Sequence, residues 1–201
     1  MTKEIVLAST SPRRKILLEK IVPSFQVIAP SLEEEVLSTA LPLGKALEKL
    51  ALEKASSVSK AYPDAVVIGA DTIVALEGEV LGKPCDEAEA NAMLSRLSGV
   101  AHQVYTAVAV VCETNQLILT AHEVTQVYFK KLSKAEIEAY IATGEPMDKA
   151  GAYGIQGEGG KLVASFEGDF DNVVGLPVTL LEKLLQECEA NNNERAENKN
   201  F

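Results

Sequence analysis

The sequence predicts an α/β or α+β fold with a mixed sheet, arranged as one domain in which two lobes flank a crevice. Three observations support this prediction. Apolar runs typical of strands alternate with amphipathic runs typical of helices in the first half of the chain. Two long, largely apolar segments in the middle predict a β-hairpin, and a further helix comes near the end of the chain.

The composition is that of a globular protein, with 47% hydrophobic and 24% charged residues among 201. The formal net charge of −10 argues against a broad surface for nucleic acid or anionic membrane. We expect no signal peptide, because the apolar run over residues 5–8 is short and follows an acidic residue. We also expect no membrane span, because no segment approaches roughly 18 consecutive apolar residues. Cys85, Cys112 and Cys188 lie far apart with no histidine nearby, which predicts free thiols and a cytoplasmic protein.

The first element is a short strand over residues 5–8, followed by a tight loop and a helix. Ser11 is a good N-cap, and Pro12 suits the first helical position, where its missing N–H costs nothing. The free N–H groups of that turn and the guanidinium groups of Arg13 and Arg14 would converge on one spot. Such a spot favours an anion with several oxygens, such as phosphate. The alternative is a capped helix with two solvated arginines.

A short strand over 25–29 and a long helix opened by Pro42 come next, with Lys54 near the end of that helix. A solvated charge is the alternative interpretation for Lys54. Residues 65–70 predict a buried strand that ends at Asp71 and Thr72, strand structure continues over 73–75, and residues 80–81 return after a turn. A carboxylate at the end of a buried strand, with a hydroxyl beside it, is typical of a metal ligand or a general base.

The second half of the chain predicts a hairpin, three helices and a glycine-rich loop. The loop has two interpretations, since such segments are either ligand-binding or mobile. We predict a folded domain over 1–189 and a polar, disordered tail over 190–201. The elements in order are a turn at 77–79 followed by Lys83, a helix over 87–97 capped by Asp86, strands over 103–112 and 118–129, a helix with a capping box from Ser133 that ends at Gly144, the glycine-rich loop over 148–160, a strand over 162–166, and a last helix reaching roughly Glu189.

Four segments occur in order: S-T-S-P-R-R, G-A-D-T with G-K-P downstream, D-K-A-G-A-Y-G-I-Q-G, and V-V-G-L-P. Together, over residues 5–185, they closely resemble the Maf family of nucleoside triphosphate pyrophosphatases. The resemblance implies an elongated α/β domain with a central mixed sheet and a cleft between two lobes, similar to the inosine triphosphate pyrophosphatases. It also implies a cytoplasmic protein, dependence on a divalent metal and often a homodimer. Mg²⁺ or Mn²⁺ suits the carboxylate and phosphate oxygens that would hold the metal, and the net charge of −10 and the absence of a long apolar run predict no nucleic-acid or membrane partner.

The late loop resembles the branch of the family that hydrolyses dTTP and UTP to the monophosphate and pyrophosphate. The branch acting on 7-methyl-GTP carries an S-E-G-L-G type of sequence there. The resemblance makes Asp71 the proton acceptor and associates Arg13, Thr72 and Gln156 with substrate choice. Alternative substrates are CTP, a modified pyrimidine nucleotide and 7-methyl-GTP. An alternative function is that of a nucleotide-binding regulator of septum formation and cell division.

Arg13, Arg14, Lys54 and Lys83 would supply four positive charges against the roughly four negative charges of a nucleoside triphosphate. Gln156 offers both a donor and an acceptor, which suits the O4/N3–H edge of thymine or uracil. The candidate residues are Asp71, Lys54 and Lys83 for catalysis; Ser9, Ser11, Arg13, Arg14, Thr72, Lys149 and Gln156 for substrate binding; and Glu34 and Asp71 for the metal. Because Glu34 is one of three consecutive glutamates, its assignment is ambiguous by one residue.

Overall fold

The structure is a computed structural model that describes residues 3–31, 37 and 40–198, with side chains described as far as residue 192. Its elements are a mixture of helices and strands, and the predicted fold class is confirmed. In order, they are β1 (Ile5–Ala8), α1 (Pro12–Leu18), β2 (Gln26–Ile28), α2 (Leu43–Ser59), β3 (Val66–Leu76), β4 (Glu79–Leu81), α3 (Glu87–Leu97), β5 (Ala101–Cys112), β6 (Leu117–Phe129), α4 (Lys134–Ile141), β7 (Val163–Glu167), α5 (Phe170–Val174) and α6 (Val178–Asn198).

The strands form a mixed sheet in the order β2-β1-β3-β5-β6-β7, with β4 paired to β3. Strand β1 runs parallel to both β2 and β3, with Leu7 opposite Val27 and Ile68. Strand β4 pairs antiparallel with β3, and β7 pairs antiparallel with β6. Parallel strands need a crossover connection, and α1 and α2 are the helices between β1, β2 and β3.

The chain divides into two compact units. The first comprises Met1–Asp71, Thr106–Glu123 and Gly175–Phe201. In it the apolar residues of β1 and β3 are buried together with the inward faces of α1 and α2. Each fully buried leucine or isoleucine contributes about 1.5–3 kcal/mol to folding. The largest of these side chains are Leu7, Leu17, Leu18, Leu47 and Ile68.

The second unit comprises Thr72–Tyr105 and Val124–Val174. Its core includes Leu94 and Leu97 of α3, Ile137 and Tyr140 of α4, and Tyr153 from the glycine-rich loop. The predicted Asp86 cap is confirmed, because its carboxylate accepts a hydrogen bond from Glu89 N–H at 2.8 Å. The capping box at the start of α4 is confirmed as well.

Two elements differ from their predictions. The strand segments predicted over 65–70 and 73–75 form one continuous strand with no break at Asp71 and Thr72, because the apolar and β-branched pattern resumes at Ile73 and the strand continues to Leu76. The last helix continues past Glu189 to Asn198, through residues predicted as disordered. That stretch is polar and four of its nine residues are Asn, but it contains neither glycine nor proline, and its two Ala, two Glu and one Arg favour a helix. The domain boundary at 189 stays a prediction.

The glycine-rich loop is built from short 3-10 turns, at Glu145–Asp148, Ala150–Ala152 and Gly157–Leu162. Among the residues described, no helix has both the length and the apolar character needed to cross a lipid bilayer.

Candidate active site

The loop between β1 and α1 is held by its own serines. The Ser9 hydroxyl accepts a hydrogen bond from Ser11 N–H at 3.1 Å, and the Ser11 hydroxyl accepts one from Arg14 N–H at 3.4 Å. Ser11 is therefore the N-cap and Pro12 the first helical residue, as the sequence predicts. These bonds fix the backbone from which both arginines project.

The Arg14 side chain contacts the turn that precedes α6. Its Nε donates a hydrogen bond to the carbonyl oxygen of Gly175 at 2.8 Å, which joins the S-T-S-P-R-R segment to the V-V-G-L-P segment. Burial lowers the pKa of Arg14, the Asp71 carboxylate acts in the opposite direction, and Arg13 lowers the pKa further. The Asp71 carboxylate therefore acts electrostatically on this guanidinium.

Close packing of α2 on β3 brings Lys54 to Asp71. A Cβ at Gly69 would lie 2.3 Å from the Ala51 carbonyl oxygen and 2.7 Å from the Ala55 nitrogen, so only glycine fits at this contact. Ala51 and Ala55 are themselves small and fully buried. These small residues allow α2 to lie directly on β3, and the point of contact, Gly69, is two residues before Asp71.

Lys54 and Asp71 form an ion pair. Lys54 Nζ donates to Asp71 Oδ1 at 2.6 Å, and the two side chains are 19% and 16% exposed. Strand β3 is buried from Val66 to Ala70 and becomes partly exposed at Asp71 and Thr72. The carboxylate predicted at a strand end therefore lies within a strand, at the position where that strand first reaches solvent.

In the second unit, two of the sequence motifs meet. The N–H of Gly151 donates to the carbonyl oxygen of Gly82 at 2.9 Å, which joins the G-K-P segment carrying Lys83 to the start of the glycine-rich loop. Lys149 Nζ donates to the Glu145 carbonyl oxygen and to Asp148 Oδ1, both at 2.6 Å. Lys149, predicted to bind substrate, thus makes hydrogen bonds within its own loop.

Gln156 lies in the middle of the glycine-rich loop, and its side chain is exposed. The backbone on either side of it is held by hydrogen bonds to the Glu145 carboxylate and the Tyr140 hydroxyl. The sequence did not single out these two residues. The only signal for Glu145 is its place three residues before the D-K-A-G segment, and Tyr140 has the pattern of an ordinary core residue of α4.

The predicted site residues are divided between the two units. Ser9, Ser11, Arg13, Arg14, Lys54 and Asp71 belong to the first unit, and Thr72, Lys83, Lys149 and Gln156 belong to the second. Glu34 lies outside the described residues. The predicted cleft that would bring both sets to one nucleotide stays a prediction.

The donor set of the described residues suits a hard cation that arrives with its own oxygen ligands. These residues contain no group of three or more His, Cys, Asp or Glu side chains able to hold a metal ion by themselves. Mg²⁺ is commonly bound by one or two carboxylates, with water and substrate phosphates completing its shell. Asp71 is a carboxylate suited to that role.

These features define an α/β protein in which arginines on a capped helix and a lysine–carboxylate pair suit a polyphosphate. The sequence matches the family described as Maf-like protein over residues 4–188, and the chain belongs to that family.

Two relatives of similar length share the name dTTP/UTP pyrophosphatase. The chain is 53% identical over 176 residues to the dTTP/UTP pyrophosphatase of Symbiobacterium thermophilum, covering 88% of this chain and 89% of the relative. It is 51% identical to the dTTP/UTP pyrophosphatase of Bacillus velezensis, covering 93% and 97% of the two chains. A solved structure, that of the Staphylococcus aureus Ham1 protein, is similar over 64% of this chain and 73% of that one, with a TM-score of 0.47 and 20% identity.

Proposed function

We propose that this chain hydrolyses dTTP and UTP to the nucleoside monophosphate and pyrophosphate. The observation that supports this proposal best is the Lys54–Asp71 pair, 2.6 Å apart, with Arg14 under the influence of the same carboxylate. The names of relatives about half identical to this chain support the substrates.

In the proposed reaction, water attacks the α-phosphorus, and the bond from that phosphorus to the oxygen bridging to the β-phosphate breaks. Asp71 accepts the proton of the attacking water, and Lys54 orients the carboxylate through its hydrogen bond to Oδ1. Pyrophosphate leaves with the bond's electron pair. Arg13 and Lys83 neutralise the negative charge that the phosphates carry, which lowers the energy of the transition state.

Asp71 would also contact a divalent cation, Mg²⁺ or Mn²⁺, that enters with the nucleotide. A bound cation of this kind neutralises phosphate charge and lowers the pKa of a bound water. Glu34 is proposed as its second protein ligand. Gln156 is proposed to recognise the pyrimidine edge, since its amide matches a carbonyl acceptor and an N–H donor.

The test is pyrophosphate release from a set of nucleotides by the wild-type protein with Mg²⁺ and with Mn²⁺. We expect kcat/KM for dTTP and UTP to exceed that for GTP by about a hundredfold, near the upper end of the roughly 1–3 kcal/mol of discrimination that a bidentate contact to a base edge gives. CTP belongs in the same set. Fast hydrolysis of 7-methyl-GTP with slow hydrolysis of dTTP would contradict the proposal.

A further inference from the structure

The glycine-rich loop is tied to one carboxylate. Glu145 Oε1 accepts hydrogen bonds from the Tyr140 hydroxyl at 3.1 Å and from Gly159 N–H at 3.2 Å. Its second oxygen, Oε2, accepts one from Glu158 N–H at 3.1 Å. Three donors therefore converge on a single side chain, and two of them are backbone groups that follow Gln156 by two and three residues.

Tyr140 extends this arrangement to the other side of Gln156. Its hydroxyl donates to Glu145 and accepts a hydrogen bond from Gly154 N–H at 3.2 Å. Burial raises the pKa of Tyr140, so the hydroxyl keeps the proton that it donates. The backbone is thus held at Glu158 and Gly159 after Gln156 by Glu145, and at Gly154 before it by the Tyr140 hydroxyl, which itself bonds Glu145.

The loop also closes on itself between these anchors. A Cβ at Gly159 would lie 2.3 Å from the carbonyl oxygen of Gly154, so the two ends of the segment touch through their backbones. Gln156 stands at the exposed tip, with extended backbone angles of φ −87° and ψ 158°. A side chain on a closed, anchored segment loses less entropy on binding than one on a mobile loop.

We infer that Glu145 is a positioning residue for base selection, which holds Gln156 in the orientation that recognises the pyrimidine. The inference rests on the proposed function, because it assigns Glu145 a part in the selectivity of that same reaction. Hydrogen bonds from backbone N–H groups to a carboxylate are stronger than those between neutral groups. An amide at this position presents an NH₂ group to one of the N–H donors and loses that bond.

The experiment compares Glu145→Gln with Glu138→Gln in the full-length protein. Glu138 lies on the exposed face of α4, where its carboxylate is 57% exposed and pairs with Lys134 at 3.6 Å, so its replacement makes the same change in charge away from the loop. Two quantities are measured in each protein. They are the hydrogen exchange of the amides of Gly154, Glu158 and Gly159, and kcat and KM for dTTP and GTP.

In Glu145→Gln we expect faster exchange at these amides and a KM for dTTP about tenfold higher, with a smaller change in kcat. The ratio of kcat/KM for dTTP to that for GTP should fall about tenfold, the factor that corresponds to one lost hydrogen bond to a charged group. Glu138→Gln should match the wild type in all of these. Tyr140→Phe, which loses only the hydroxyl, should change the same quantities in the same direction and by less.

The outcomes separate the two proposals. A wild-type protein that releases no pyrophosphate from dTTP overturns the proposed function, and this inference with it. A wild type that is active on dTTP, with a Glu145→Gln variant of unchanged nucleotide ratio, overturns the inference alone. The same holds if Glu145→Gln changes the ratio no more than Glu138→Gln does.

Discussion

The Arg14 side chain is partly buried and makes a hydrogen bond to a distant part of the chain, although the sequence alone treats Arg13 and Arg14 as equivalent. Its Nε bonds the Gly175 carbonyl oxygen across a separation of 161 residues, and burial lowers its pKa. The sequence shows two adjacent cations on a helix start and gives no sign that one of them holds the turn before α6. A contact at such a distance along the chain has no periodicity, and spacing alone cannot reveal it.

His102 is a buried residue whose protonation is coupled to folding. It is 1% exposed, its Nε2 lies 2.7 Å from the Tyr153 hydroxyl, and its ring packs edge-on against Phe129 and Tyr153. Its Nδ1 has no hydrogen-bond partner among the residues described. Burial lowers the pKa of His102 from 6.5 to about 4, because nothing there stabilises the imidazolium.

This shift predicts a loss of stability in acid. Below pH 6.5 the unfolded chain takes up a proton at His102, and the folded protein does not until about pH 4, so stability decreases as the pH falls through that window. The contribution is about 3 kcal/mol from this residue. We expect the free energy of unfolding to fall more steeply between pH 6.5 and 4 in the wild type than in His102→Gln. Denaturant unfolding at several pH values measures the difference, and parallel curves for the two proteins would contradict it.

At the scale of elements, the pairing of α2 with β3 determines the geometry of the proposed catalytic pair. Gly69, Ala51 and Ala55 allow the close approach, and Lys54 and Asp71 lie beside that contact. The sequence predicts both elements from their apolar patterns and places Lys54 near the end of its helix. It cannot predict that the two side chains meet, since that depends on which turn of the helix lies over which residue of the strand.

Gly69→Ala tests the importance of this approach. The added Cβ would meet backbone atoms that cannot rotate away, so the helix must shift from the strand. We expect a loss of about 1–3 kcal/mol in stability and a lower thermal unfolding temperature, together with slower dTTP hydrolysis. Scanning calorimetry compares the variant with Gly82→Ala, whose Cβ meets nothing within 4 Å. A Gly69→Ala variant that unfolds at the wild-type temperature would show that the contact is not tight.

At the scale of the whole molecule, the sequence predicts the fold class and most elements, because apolar periodicity and capping residues act locally. The Asp86 cap and the Ser133 capping box lie where they are predicted. The strand end predicted at Asp71 and Thr72 and the disorder predicted for residues 190–198 were wrong, since a polar residue or a polar segment in sequence does not by itself end an element.

For the candidate site, too, the sequence predicts some features and not others. The motif residues were chosen from the sequence, and the structure joins Lys54 to Asp71 in one unit and Gly82 to Gly151 in the other. The anchoring of the glycine-rich loop on Glu145 could not be predicted, because it depends on the folded path of the loop.

The most direct measurement is the rate of pyrophosphate release from dTTP by the wild type and by Asp71→Asn, with Mg²⁺ present. Asparagine has nearly the same shape as aspartate but cannot accept the proton of the attacking water. We expect the variant to fold with an unchanged circular dichroism spectrum and to lose at least about a hundredfold in kcat, the usual contribution of a general base. A folded Asp71→Asn variant that releases pyrophosphate at the wild-type rate would contradict the account.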